Sequence, residues 1–113
     1  MIDNPEKAEI LMERLKNSLP IEARLSQHLI RTLMKKSPDV SIPDKCNITA
    51  VLYSGDMGGI LCALDIGGSE TESVHLVSIT HLSFDRRTLL ARDIEVYQRH
   101  RTRKLKQQIS RGY

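Results

Sequence analysis

Four basic side chains near the end of the chain have the spacing of one helix face. They are Arg92, Arg99, Arg103 and Lys106. When successive residues are placed 100° apart around a helix axis, all four fall within about 60° of one another. Arginine side chains match the geometry of phosphate oxygens, and a row of cations can follow a phosphate backbone. We therefore predict an anion-binding or nucleic-acid-binding face, against the alternative of an ordinary solvated helix surface.

The distribution of charge along the chain supports this prediction. The formal net charge is +3, with 17 Lys+Arg and 14 Asp+Glu. Residues 85–113 alone have a net charge of +6, whereas residues 1–84 have a net charge of −3. The asymmetry predicts an acidic partner, either a protein or a nucleic acid. Because aromatic residues make up only 4% of the chain, base stacking is disfavoured and any nucleic acid would be contacted through its backbone.

The histidine and cysteine residues lack the spacing of a metal site. His75 and His81 would point to the same face of a regular strand, and Cys62 on a neighbouring strand could approach them. Zinc sites commonly use spacings such as C-x-x-C, H-x-H or H-E-x-x-H, and none of these occurs here. We predict no metal and no cofactor.

No set of residues selects a catalytic mechanism. Serines, histidines and aspartates are present, but no spacing places a nucleophile beside a base. Asp56 is explained by the preference of aspartate for turns, and Asp65 by the end of a strand. The sequence therefore favours a non-catalytic domain over an enzyme, and we predict no catalytic residues.

Two glycine pairs, Gly58-Gly59 and Gly67-Gly68, invite comparison with phosphate-binding loops. Backbone amides in a glycine turn can cradle an anion. Neither pair belongs to a G-x-x-x-x-G-K-[ST] or G-x-G-x-x-G motif, and both are expected to join strand to strand rather than strand to helix. Turn formation is the favoured interpretation.

The first part of the chain predicts two helices. Asn4 caps a helix that begins at Pro5 and ends at Pro20. A second helix is predicted from Pro20 to Ser37, because apolar residues recur at intervals of four and the residue before Pro38 is disfavoured in a helix. The recurring residues are Ile21, Leu25, Leu29 and Leu33. Ala23, Ile30 and Met34 lie on its opposite face, so both sides of this helix are expected to need cover.

The rest of the chain predicts three strands and a long helix. The strands cover Ile48–Tyr53, Ile60–Ile66 and Val74–Phe84, with glycine-containing turns between them. Asp85 is expected to cap a helix that runs from Arg86 to about Gln108. Arg101 falls on the apolar stripe of this helix, so we expect either that the helix extends beyond the core near this residue or that the Arg101 stem lies on apolar surface while its head stays in water. The apolar stripe consists of Leu90, Ile94, Tyr97 and Leu105.

These elements predict a single α+β domain over residues 1–113, with residues 106–113 as a candidate disordered basic tail. The order is α-α-β-β-β-α, a helical hairpin and a C-terminal helix on a three-stranded antiparallel meander. Two open sheet edges, apolar residues on both sheet faces and apolar residues on opposite sides of the second helix predict a homodimer or a larger assembly. Two cysteines and the lack of any apolar run of about 18 residues predict a cytoplasmic protein without a membrane partner.

Two functions are consistent with these observations. The favoured one is a small interaction or regulatory domain whose basic C-terminal helix binds an acidic partner. The alternative is a small-molecule-binding domain or enzyme with its site between sheet and helices, near Asp56, Asp65 or His81.

Overall fold

A computed structural model describes residues 3–36, 41–66 and 75–111, with side chains through residue 107. Three α-helices and a five-stranded antiparallel sheet make up this part of the chain. The predicted α+β class is confirmed, whereas the predicted order of elements is only partly correct. The helices are α1 (Pro5–Ser18), α2 (Gln27–Lys36) and α3 (Ala91–Arg111), and the strands are β1 (Ile21–Leu25), β2 (Lys45–Tyr53), β3 (Ile60–Asp65), β4 (His75–Ser78) and β5 (Leu82–Ser83).

Helix α1 begins where the sequence predicts. The Asn4 Oδ1 atom accepts hydrogen bonds from the backbone amides of Glu6, at 3.1 Å, and Lys7, at 3.2 Å. Pro5 occupies the first turn, where its missing amide proton costs nothing. One face of the helix is buried, and it consists of Ala8, Leu11, Met12 and Leu15.

The segment after Pro20 is a strand, so the prediction that the second helix starts there is wrong. Ile21, Ala23 and Leu25 are buried, and the residues between them are exposed. Residues four positions apart lie on the same face of a helix and also on the same face of a strand, so this spacing alone does not distinguish the two. Pairing of β1 with β2 decides between the two. Helix α2 follows Ser26, whose Oγ atom accepts a hydrogen bond from the Leu29 amide at 3.1 Å.

The predicted meander is present as β2, β3 and β4, but the predicted strand Val74–Phe84 is wrong in extent. Its described part is interrupted by a 3-10 turn over Ile79–His81, and β5 then pairs with β1. The strand order is β4-β3-β2-β1-β5. Since β4 and β5 lie at opposite edges and only three residues separate them, the sheet must curl strongly around its core.

Helix α3 starts later than predicted. Asp85 caps a turn instead, because its Oδ1 atom accepts a hydrogen bond from the Arg87 amide at 2.9 Å. Ile94 and Tyr97 join the core. The Gln98 side-chain amide donates to the carbonyl oxygens of Ile79 and Leu82, both at 2.7 Å, and so attaches α3 to the 3-10 turn. Helix α3 includes residues 106–111, the first part of the segment considered as a tail.

Helices α1 and α3 run side by side in opposite directions. Arg14 of α1 contacts Asp93 of α3 with 3.0 Å between Nη1 and Oδ2, and Asp3, which precedes α1, contacts Arg101 at 3.1 Å. The early part of one helix therefore lies beside the late part of the other.

Candidate functional site

The basic stripe, which we define as Arg92, Arg99, Arg103 and Lys106, lies on the outer side of α3. All four residues are exposed. Arg99 forms an ion pair with Glu95, but the two side chains are 75% and 55% exposed, so water screens this pair strongly. Within the described residues, no carboxylate lies within ion-pair distance of the other three. From Arg92 to Lys106 the helix rises about 21 Å.

Arg101 is not part of this exposed charge. Its side chain is 3% exposed, and its Nη1 atom donates to the Asp3 Oδ1 atom at 3.1 Å. Its Nη2 atom donates to the Asp56 carbonyl oxygen at 2.9 Å. The expectation that the Arg101 head stays in water is therefore wrong. Burial of the head is possible because a carboxylate and a carbonyl oxygen replace its hydration.

Two tyrosines complete the surroundings of the Asp3 carboxylate. The Tyr97 hydroxyl donates to Asp3 Oδ2 at 2.7 Å, and the Tyr53 hydroxyl donates to the same oxygen at 2.9 Å. The Tyr97 oxygen also accepts from the Ile60 amide at 3.1 Å. We call Asp3, Tyr53, Tyr97 and Arg101 the Asp3 cluster. It joins the start of the chain, the sheet and α3.

Both tyrosines of the Asp3 cluster have a raised pKa, which favours the protonated hydroxyl that donates to Asp3. Burial, assisted by the neighbouring Asp3 carboxylate, raises the pKa of Tyr53 to about 12. The same two causes raise the pKa of Tyr97 further. Both hydroxyls therefore keep their protons at neutral pH and act as donors to Asp3. Neither is prepared to act as a base or a nucleophile.

The turn between β2 and β3 is fixed against this cluster. The Ser54 amide donates to the Gly59 carbonyl oxygen and the Gly59 amide to the Gly55 carbonyl oxygen, both at 2.8 Å. Gly59 has a φ of +67°, and a Cβ atom placed there would lie 2.3 Å from the Tyr97 hydroxyl oxygen. The Gly59 amide is thus engaged within the turn, as the turn interpretation of Gly58-Gly59 requires. The pair Gly67-Gly68 lies outside the described residues.

The buried polar groups of the Asp3 cluster bond to one another and to the backbone. Among the described residues, no buried side-chain nitrogen or oxygen lacks a hydrogen-bond partner. One sequence feature indicated the cluster, namely an arginine on an apolar helix stripe. Its partner was missed because Asp3 and Arg101 are 98 positions apart.

The residues considered for a metal site lie on three different elements of the fold. Cys62 is fully buried, and its burial raises the pKa of the thiol to about 12. His75 is half-buried on β4, and His81 is exposed on the 3-10 turn. In the described part of the chain, no group of three or more His, Cys, Asp or Glu side chains is arranged to hold a metal ion.

A groove of about 320 Å³ lies between α1 and α3. We call it the α1–α3 groove. Apolar side chains from both helices line it, including Ile10 and Val96, which are 54% and 63% exposed. Charged and polar groups surround these apolar residues. The remaining lining residues are Asn4, Lys7, Ala8, Leu11, Arg14, Asp93, Tyr97 and His100.

The fold and the two surfaces on α3 can be compared with known proteins. No family model, curated protein or solved structure matches this chain. Within residues 3–36, 41–66 and 75–111, no helix has the length and apolar character needed to cross a membrane.

Proposed function

We propose that this chain is a non-catalytic interaction domain whose basic stripe binds an acidic partner, either an acidic protein segment or a nucleic-acid backbone. The observation that supports it is the alignment of four exposed cations on α3, three of which have no ion-pair partner among the described residues. The Asp3 cluster and Gln98 attach the helix to the rest of the fold. A fixed row of charges binds a polyanion at a lower entropic cost than a flexible one.

The alternative of a small-molecule or catalytic site between sheet and helices gains no support from the described residues. The deeply placed polar groups there are those of the Asp3 cluster, and they bond to one another. A pocket that recognises a small ligand needs polar groups directed into free space.

The basic stripe predicts salt-dependent binding. Titration of labelled single-stranded RNA, double-stranded DNA and polyglutamate, followed by fluorescence anisotropy at several salt concentrations, measures it. For a nucleic acid contacted at about four phosphates, the slope of log affinity against log salt should be roughly −3 to −4. Each arginine removed should lower the magnitude of this slope by about one.

The matched variants for this experiment carry equal changes of charge. Arg99→Gln, Arg103→Gln and Lys106→Gln together should weaken polyanion binding and leave folding intact, because these side chains are exposed. The control replaces Arg31, Lys35 and Lys36 of α2, which are also exposed, with Gln. Equal binding by the two variants would contradict a role for the stripe and reduce it to a solvated helix face.

We also propose that the domain acts as a homodimer in the cytoplasm. Leu52 of β2 and Leu76 of β4 are 42% and 46% exposed, and the strand register places them on the same outer face of the sheet. Both cysteines are free and buried, which suits a reducing compartment. Sedimentation equilibrium measures the association, since the chain mass is 12.8 kDa. A monomer at micromolar concentration would contradict the dimer.

A further inference from the structure

The α1–α3 groove lies directly beside the basic stripe. When successive residues of α3 are placed 100° apart around the helix axis, Val96 lies about 20° from Arg103, and His100 lies about 40° beyond Val96 in the same direction. Val96 and His100 both line the groove. A partner bound to the basic stripe would therefore reach the apolar residues of the groove without leaving the surface of α3.

The opposite wall of the groove is also cationic. Lys7 and Arg14 of α1 line it. The acidic residues of α1, which are Glu6, Glu9 and Glu13, are exposed but do not line it. Asp93 is the carboxylate among the lining residues, and it is paired with Arg14 at 3.0 Å, so these two charges offset each other and Lys7 is the cation that α1 presents to a partner. Cations thus lie on both sides of an apolar centre, which complements an occupant with an apolar ridge and acidic flanks.

The lining of the groove distinguishes between acidic partners. A nucleic acid whose bases entered the groove would need aromatic surfaces to stack on, and the aromatic lining residue, Tyr97, is buried with its hydroxyl bonded to Asp3. The exposed side chains of Ile10 and Val96 instead suit aliphatic groups. On α3 the groove extends from Asp93 to His100, a helical rise of about 10 Å. In a helix that occupied the groove, two apolar side chains seven positions apart would be separated by the same distance along the helix axis.

We propose that the α1–α3 groove and the basic stripe together bind an acidic amphipathic helix of a partner protein. Aliphatic residues of that helix would fill the groove, and its carboxylates would lie against Lys7 on one side and the basic stripe on the other. This is the helix-in-groove mode of recognition, with charges at the rim that orient the ligand. The inference rests on the proposed function, because the basic stripe supplies most of the charges.

The test uses the full chain and a labelled synthetic peptide that carries Leu at helical spacing and Glu elsewhere. A peptide of the same composition in scrambled order, polyglutamate and poly-uridine RNA serve as comparison ligands. We expect the amphipathic peptide to bind at least about tenfold more tightly than the scrambled one, since only the former presents an apolar ridge to bury. Poly-uridine RNA should bind more weakly than the peptide.

Two sets of variants separate the groove from the stripe. Ile10→Gln with Val96→Gln should lower the affinity for the amphipathic peptide at least about tenfold and leave polyglutamate binding within about twofold. The control, Met34→Gln with Met57→Gln, removes two other exposed apolar side chains and should change neither affinity. Circular dichroism and thermal unfolding confirm that each variant is folded.

The outcomes distinguish the two proposals. Equal binding of the amphipathic peptide, the scrambled peptide and polyglutamate, unchanged by the groove variants, would overturn the helix-in-groove inference and leave the electrostatic function intact. Tighter binding of poly-uridine RNA than of the peptide would also overturn it, in favour of a nucleic-acid partner. If none of these ligands binds with a dependence on Arg99, Arg103 and Lys106, the proposed function itself is wrong.

Discussion

Replacing Arg101 with Met is expected to lower the free energy of unfolding by about 3 to 5 kcal/mol. The reason is the Asp3 carboxylate, whose side chain is 1% exposed and would lose its cationic partner while remaining buried. The Asp56 carbonyl oxygen would lose its donor as well. Since small domains are stable by only about 5 to 15 kcal/mol, a loss of this size would unfold a measurable fraction of the protein.

Urea denaturation followed by circular dichroism measures this effect, and Arg99→Met is its matched control. Methionine and arginine have similar helix propensities, so both substitutions leave the backbone preference of α3 nearly unchanged. Arg99 is 75% exposed, and its replacement should cost less than about 0.5 kcal/mol. Equal losses for the two variants would show that the Asp3–Arg101 pair contributes nothing specific.

A double-mutant cycle measures the coupling between Asp3 and Arg101. Asp3→Ala alone leaves the buried Arg101 without its carboxylate, and the two single substitutions should each be costly. Asp3→Ala combined with Arg101→Met removes both charges, so the double variant should be destabilised by less than the sum of the two. Additive losses would indicate that the two residues act through separate contacts.

The Asp3 cluster illustrates how much of this fold could be predicted from the sequence. Local rules correctly predicted the cap at Asn4 and the two strands on either side of the Gly58-Gly59 turn. The same rules placed Arg101 on the apolar stripe of the last helix. They could not identify Asp3 as the partner of Arg101, because the two residues are brought together by the packing of α1 along α3.

The errors in the strands have a similar origin. Ile21 and Leu25 satisfy both helical and strand spacing, and the choice depends on pairing with β2, which lies beyond α2 in the chain. The 3-10 turn at Ile79 interrupts a run rich in residues that favour strands, because the chain must pass from one edge of the sheet to the other. Gln98 then bonds to the carbonyl oxygens of Ile79 and Leu82. Local strand propensity does not include these contacts between distant parts of the chain.

Replacing Gly59 with Ala is expected to destabilise the fold by about 3 to 5 kcal/mol, through two separate effects. The first is the backbone, since a φ of +67° costs a residue with a Cβ atom about 1 to 2 kcal/mol. The second is the 2.3 Å approach of that Cβ atom to the Tyr97 hydroxyl oxygen. The hydroxyl can move only by giving up its hydrogen bonds to Asp3 and Ile60, each worth about 1 to 3 kcal/mol when buried.

Gly55→Ala separates the two effects within the same turn. Gly55 has a φ of +63°, but a Cβ atom there would meet nothing within 4 Å, so its replacement should carry only the backbone cost. Tyr97→Phe removes the oxygen that the new Cβ atom would meet. Urea denaturation should therefore show that Gly59→Ala costs clearly more than Gly55→Ala in the wild-type background, and that this difference shrinks in the Tyr97→Phe background. If Gly59→Ala costs no more than Gly55→Ala with Tyr97 present, the close contact between the turn and the Asp3 cluster does not constrain this position.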